Sequence, residues 1–168
     1  MKKLFILFIA VAGFGVSSYA QVNATATSAA TIVTPIAISK TVDMNFGNVS
    51  VNSNAGTVVL APAGTRSVTG GVTTPATAGT VTAASFTVTG ESGYTYAITL
   101  PATATTLTRT GFSETMTADT FTSTPTPTGT LTGGTQTLLV GATLHVGASQ
   151  VAGAYLSGTA FTVTVNYN

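Results

Sequence analysis

Phe161-Thr162-Val163-Thr164-Val165-Asn166-Tyr167 is the stretch on which the fold turns. Apolar residues fall at every second position with polar ones between them, the period of a strand with one buried and one wetted face. Thr and Val, branched at Cβ, suit that conformation. Phe161, Val163, Val165 and Tyr167 therefore read as the buried face of an assembly or edge strand, whose backbone must pair with something.

The same grammar extends backwards through the chain. Thr and Val dominate, and Gly or Pro interrupts each run before three helical turns can form. Strands are expected over residues 30–38, 42–51, 57–61, 66–69, 80–89, 94–100, 114–122, 135–140, 143–146 and 161–167. Many short strands punctuated by turn signals predict a sandwich or barrel. The clearest hairpin signal is Phe86-Thr87-Val88-Thr89 and Tyr94-Thr95-Tyr96-Ala97-Ile98, joined by Gly90-Glu91-Ser92-Gly93, where two glycines are expected to supply positive φ. Pro101 stops the second arm. Gly-Thr-Val or Gly-Thr-Leu recurs at residues 56, 79 and 129 without a fixed period, which argues against a solenoid.

The first 20 residues read differently. Lys2 and Lys3 precede an apolar run from Leu4 to Val16, and Ser18-Tyr19-Ala20 supplies the small residues of a cleavage site. Residues 1–20 are expected to be a signal peptide and residues 21–168 a single domain. The apolar run falls short of the ~20 residues of a membrane span, so no span is expected in the mature chain. Export to the periplasm, cell surface or medium is the corresponding expectation. Without cysteine, such a domain must draw its stability from its core.

Removing Lys2 and Lys3 leaves Lys40, Arg66 and Arg109 against Asp43, Glu91, Glu114 and Asp119, so the mature charge is −1 and the precursor pI of 8.1 misleads. Three scattered cations cannot displace counterions from nucleic acid. The charged fraction is only 5%, with a mean hydropathy of +0.47, which excludes a disordered polyelectrolyte. A surface of Thr hydroxyls offers little repulsion against edge-to-edge association.

Catalytic chemistry has few groups to use. His145 is the single histidine, and no Gly-x-Ser-x-Gly elbow occurs. In Leu144-His145-Val146 the alternation places His145 on the solvent face. Glu114 and Asp119 lack the acidic loop that a hard cation needs. No catalytic, cofactor or metal residue is expected, and an ion pair of Lys40 with Asp43 would contribute little.

Near the start of the mature chain, Val22, Ala24, Ala26, Ser28, Ala30 and Ile32 also follow a period of two. A strand of this kind can add to a neighbour's open sheet edge through main-chain hydrogen bonds. Val22, Ala24, Ala26, Ala30 and Ile32 are its candidate donor positions.

The stretch from Ala24 to Gly47, with Ile36-Ala37-Ile38 leading to Asn45-Phe46-Gly47-Asn48-Val49, precedes by about a hundred residues Gly153-Ala154-Tyr155-Leu156-Ser157-Gly158 and the 161–167 strand. Together they resemble the exported bacterial domain of unknown function 4402, and more distantly chaperone-usher pilins and spore-coat-U-like domains. The pilin likeness implies an immunoglobulin-like antiparallel β-sandwich held by a periplasmic chaperone and assembled with identical or related subunits by strand exchange. Tyr167 stands where those pilins carry a penultimate tyrosine. The chain departs from them in lacking a disulfide and in the alanine content of its donor segment. The resulting expectation is a non-enzymatic structural or adhesive protein of a fimbria-like fibre. Its alternative is a self-complete binding module recognising a glycan or protein through loops 73–78 and 123–129.

Overall fold

The computed structural model describes residues 20–168; residues 1–19, where almost all of the expected signal peptide falls, lie outside them. Residues 33–168 form one compact unit. Its strands are β1 (Ala37–Val42), β2 (Ser50–Leu60), β3 (Arg66–Thr73), β4 (Ala84–Thr89), β5 (Thr95–Thr99), β6 (Thr105–Arg109), β7 (Thr115–Thr124), β8 (Thr128–Thr130), β9 (Thr135–Val146), β10 (Tyr155–Ser157) and β11 (Thr164–Tyr167). The larger sheet runs β1-β4-β9-β7-β6-β10, with β2 added to β9 and β3 to β2; the smaller runs β11-β5-β8. Every pairing is antiparallel. The arrangement is an all-β sandwich, as the strand pattern predicts.

Two apolar clusters hold it. In one, Phe86, Val88, Leu138 and Val140 of the larger sheet meet Tyr96 and Val165 of the smaller, together with Val163 just before β11. The other gathers Val58, Leu60, Met116, Ala118, Leu144 and Val146 on the larger sheet, and none of its residues comes from β5, β8 or β11. Phe46, Met44, Val49 and Tyr155 cover that second cluster. The smaller sheet therefore covers only part of the larger one's apolar face. Tyr96 is fully buried and its hydroxyl donates to Gln136 Oε1 at 2.8 Å. Burial pushes its phenol pKa up.

Several expected boundaries move for identifiable reasons. The strand expected over 30–38 begins only at Ala37, and most of 42–51 is a connection bridged at Asn45 to Thr82 of the β3–β4 connection. Arg66 fastens that connection, donating to the carbonyls of Phe46 at 2.5 Å and Asn48 at 2.9 Å. The strands expected over 135–140 and 143–146 are one, β9. Gly141 does not break it but marks its change of neighbour from β4 at Val140 to β2 at Ala142. There the Leu60 carbonyl approaches so closely that no Cβ fits.

The hairpin expected from residues 86–98 is a crossing between sheets: β4 pairs with β1 and β9, whereas β5 pairs with β8 and β11. Both arms alternate as read, but alternation does not name a strand's neighbour. Of the two turn glycines only Gly93 has positive φ; Gly90 instead makes room for the Tyr167 hydroxyl.

Candidate functional site

The 161–167 strand keeps the in-and-out pattern read from its sequence. Val163 and Val165 are buried, Phe161 and Tyr167 half-buried, and Thr162, Thr164 and Asn166 exposed. Pairing, however, begins only at Thr164, opposite Thr99 of β5. Continuing that register would set Thr162 against Pro101, which has no N–H to give. Residues 161–163 are thus extended in side-chain pattern but without a ladder partner, and β11 is paired along one side alone.

Tyr167 is held at the far end of this edge. Its hydroxyl donates to the Thr34 carbonyl at 2.7 Å and accepts the Glu91 N–H at 2.6 Å, while its ring meets Tyr94 edge-on at 5.5 Å. The Thr34 N–H in turn donates to the Glu91 carboxylate at 2.9 Å, closing a three-residue clamp. That bond, joined by one from the Thr34 hydroxyl, holds the Glu91 carboxyl below its ordinary pKa.

Phe161 looks into a groove of about 1130 Å³ over the incompletely covered cluster. Leu107, Met116, Ala118 and Leu144 line it from the strands, Phe46 and Val49 from the β1–β2 connection, and Gln150 to Ser157 from the β9–β10 connection and β10. Phe121 stands between the clusters, 5.0 Å from the Phe161 ring. A bulge sets it there: the β7–β9 register slips by one residue between Asp119 and Thr122, and Thr120 adopts φ 49°. Phe121 consequently faces the same way as Met116 and Ala118 despite the odd spacing. Strict alternation would send it outward, so sequence reasoning missed it. Leu107 was missed because Thr surrounds it in β6.

Of the candidate donor positions, Val22 is 91% and Ile32 98% exposed, and Ala24, Ala26 and Ala30 are exposed as well. Residues 20–32 form neither strand nor helix.

The polar candidates lie elsewhere. His145 Nε2 is 2.8 Å from Asp119 Oδ1 on the outer face of the larger sheet, both side chains being partly exposed. Bonds from His145 and Thr120 keep the Asp119 carboxyl below its ordinary pKa. Glu114 turns instead to Arg109 at 3.2 Å, and the Arg109 guanidinium stacks on Phe112. Among the described residues no three metal-ligating side chains gather. Lys40 and Asp43 pair at 2.5 Å on the exposed surface. The two loops read as binding candidates are short and tied. The Asn48 N–H and Nδ2 hold the carbonyls of Ala78 and Thr77, at 2.7 and 3.1 Å. Between β7 and β8 only residues 125–127 leave the ladder, and buried Ser123 donates to the Pro125 carbonyl. Among the described residues no helix is long and apolar enough to cross a membrane.

An antiparallel sandwich with a half-paired C-terminal strand beside an apolar groove is the class of domain these features define. Residues 36–167 match the family described as domain of unknown function DUF4402, and the chain belongs to that family. No curated protein and no solved structure matches it.

Proposed function

We propose that the chain is an exported, non-catalytic structural or adhesive protein, a subunit or accessory of a fimbria-like surface fibre assembled by β-strand addition. One observation carries this reading: residues 161–167 present a strand edge whose outer side has no ladder partner and whose first three residues have none on either side. Backbone groups in that condition gain about 1 kcal/mol per hydrogen bond when a strand is added, and alternate side chains set the register. Phe161, Val163, Val165 and Tyr167 form the receiving strand, and residues 22–32 are the strand to be exchanged. The 1–20 segment supports export, and a periplasmic chaperone that covers the edge before assembly is the partner this chemistry calls for.

Deleting residues 21–30 from protein that starts at Gln21 tests the proposal. Strand exchange requires that the full protein form filaments, seen by size and electron microscopy, and that the truncated protein remain monomeric. A full-length protein that stays monomeric at all concentrations favours the binding module acting through loops 73–78 and 123–129, and overturns the fibre reading.

A further inference from the structure

The part of the larger sheet that the smaller one leaves uncovered carries a groove with room for a ligand of its own. We propose that this groove binds the two acyl chains of a glycerophospholipid whose headgroup bears one positive and one negative charge, a site independent of strand addition.

Length and volume fit two chains. Lys40 of β1, Phe86 of β4, Leu144 of β9, Met116 of β7, Leu107 of β6 and Tyr155 of β10 all line the groove, so it crosses the larger sheet from one edge to the other. Interstrand steps of ~4.8 Å make that path about 24 Å long. A sixteen-carbon chain, advancing ~1.3 Å per carbon, spans about 20 Å and fits within it. Taking a methylene as equal to a liquid water, ~30 Å³, one such chain fills ~480 Å³ and two fill ~960 Å³, against the ~1130 Å³ present. A single chain would leave more than half of the groove empty.

The floor suits hydrocarbon rather than peptide. Strands β9, β7 and β6 each have a ladder neighbour on both sides, so the floor offers side chains and no free backbone groups. A peptide lying over it would leave its amides unpaired, a cost that a hydrocarbon does not incur. Polar groups in the walls are already engaged. The Tyr155 hydroxyl donates to the Val151 carbonyl at 2.7 Å and accepts from Gln150 Nε2 at 2.8 Å, and Arg66 holds the Phe46 and Asn48 carbonyls. Among the described residues, the buried side-chain polar atom left without a partner is Glu114 Oε2, and Glu114 does not line the groove.

Charge places the headgroup. Among the described residues, Lys40 and Asp43 are the only charged side chains in the lining, and they pair at 2.5 Å where both are exposed. An exposed pair of this kind holds weakly, so it can open to a phosphate beside Lys40 and an ammonium beside Asp43. A headgroup with net negative charge would leave Asp43 uncompensated. Lys40 stands opposite Phe86 in the β1–β4 ladder, at the sheet's edge, so the headgroup lies at the mouth and its chains run inward.

Protein starting at Gln21 is incubated with vesicles of equal parts palmitoyl-oleoyl phosphatidylethanolamine and phosphatidylglycerol, separated from them by gel filtration and weighed by native mass spectrometry. The proposal requires one lipid bound per chain, with phosphatidylethanolamine in excess. Leu107→Asp sets a carboxylate in the floor, and Ala160→Trp fills the exposed rim without altering a strand. Each is expected to lower lipid retention at least about tenfold, whereas Ser67→Asp on β3, outside the groove, leaves it unchanged. Thermal unfolding identifies the folded variants, and Ala160→Trp carries the test if Leu107→Asp does not fold. The proposal is overturned if the unaltered protein holds no lipid, if it retains phosphatidylglycerol equally well, or if Ala160→Trp retains as much lipid as Ser67→Asp.

Discussion

The Tyr167 hydroxyl lies 2.7 Å from the carbonyl oxygen of Thr34, joining positions 133 residues apart. This contact ties the backbone just before β1 to the end of the open strand.

Replacing Tyr167 by Phe keeps the edge-on contact with Tyr94 but removes both the donor to Thr34 and the acceptor for the Glu91 N–H. A loss of about 1–2 kcal/mol is expected. Urea unfolding gives the stability change, and faster amide exchange at Glu91 locates it. An unchanged midpoint would mean that the clamp adds nothing to the fold.

The clamp should also respond to acid. The Glu91 carboxyl is held below its ordinary pKa by the Thr34 N–H and then the Thr34 hydroxyl, so its contribution is present at neutral pH. It is lost as pH falls below the ordinary Glu value of about 4.3 and through the lowered folded value. The Thr34 amide resonance should follow that titration, and Glu91→Gln should abolish the dependence.

Gly129 of β8 faces Tyr96, and a Cβ there would run into the Tyr96 ring and Gln136 Oε1. Gly129→Ala is expected to cost about 1–3 kcal/mol by overpacking. Thermal unfolding checks this, with Ala102→Gly in the exposed β5–β6 connection as a substitution that leaves the core intact.

His145→Ala removes only an exposed pairing with Asp119. Its expected stability cost is below about 1 kcal/mol. Filament formation should be unaffected, because His145 lies on the outer face while Leu144 and Val146 turn to the groove side. Loss of assembly in this variant would relocate the interface to that face.

The last strand shows how much of the fold and site was legible beforehand. Its alternation foretells the burial of Val163 and Val165, and neighbouring alternation places His145 outside. Pro101 foretells the end of β5. What escaped detection depends on distant partners. The bulge that turns Phe121 inward has no local mark in Thr120-Phe121-Thr122, and β6, β8 and β10 are too short or too Thr-rich to stand out. Glu91 reads as a turn residue, although its carboxylate meets Thr34, 57 residues away.

From sequence alone follow the strand class, the face of most strand residues, the poverty in catalytic groups and the alternating pattern of residues 22–32. These are local properties, set by side-chain type and a two-residue backbone period. Only the folded chain decides that β4 and β5 belong to different sheets, that the smaller sheet leaves part of the larger uncovered, and that β11 ends with one side unpaired. Strand neighbours are chosen by long-range packing and hydrogen bonding, for which many sequence-equivalent strands compete.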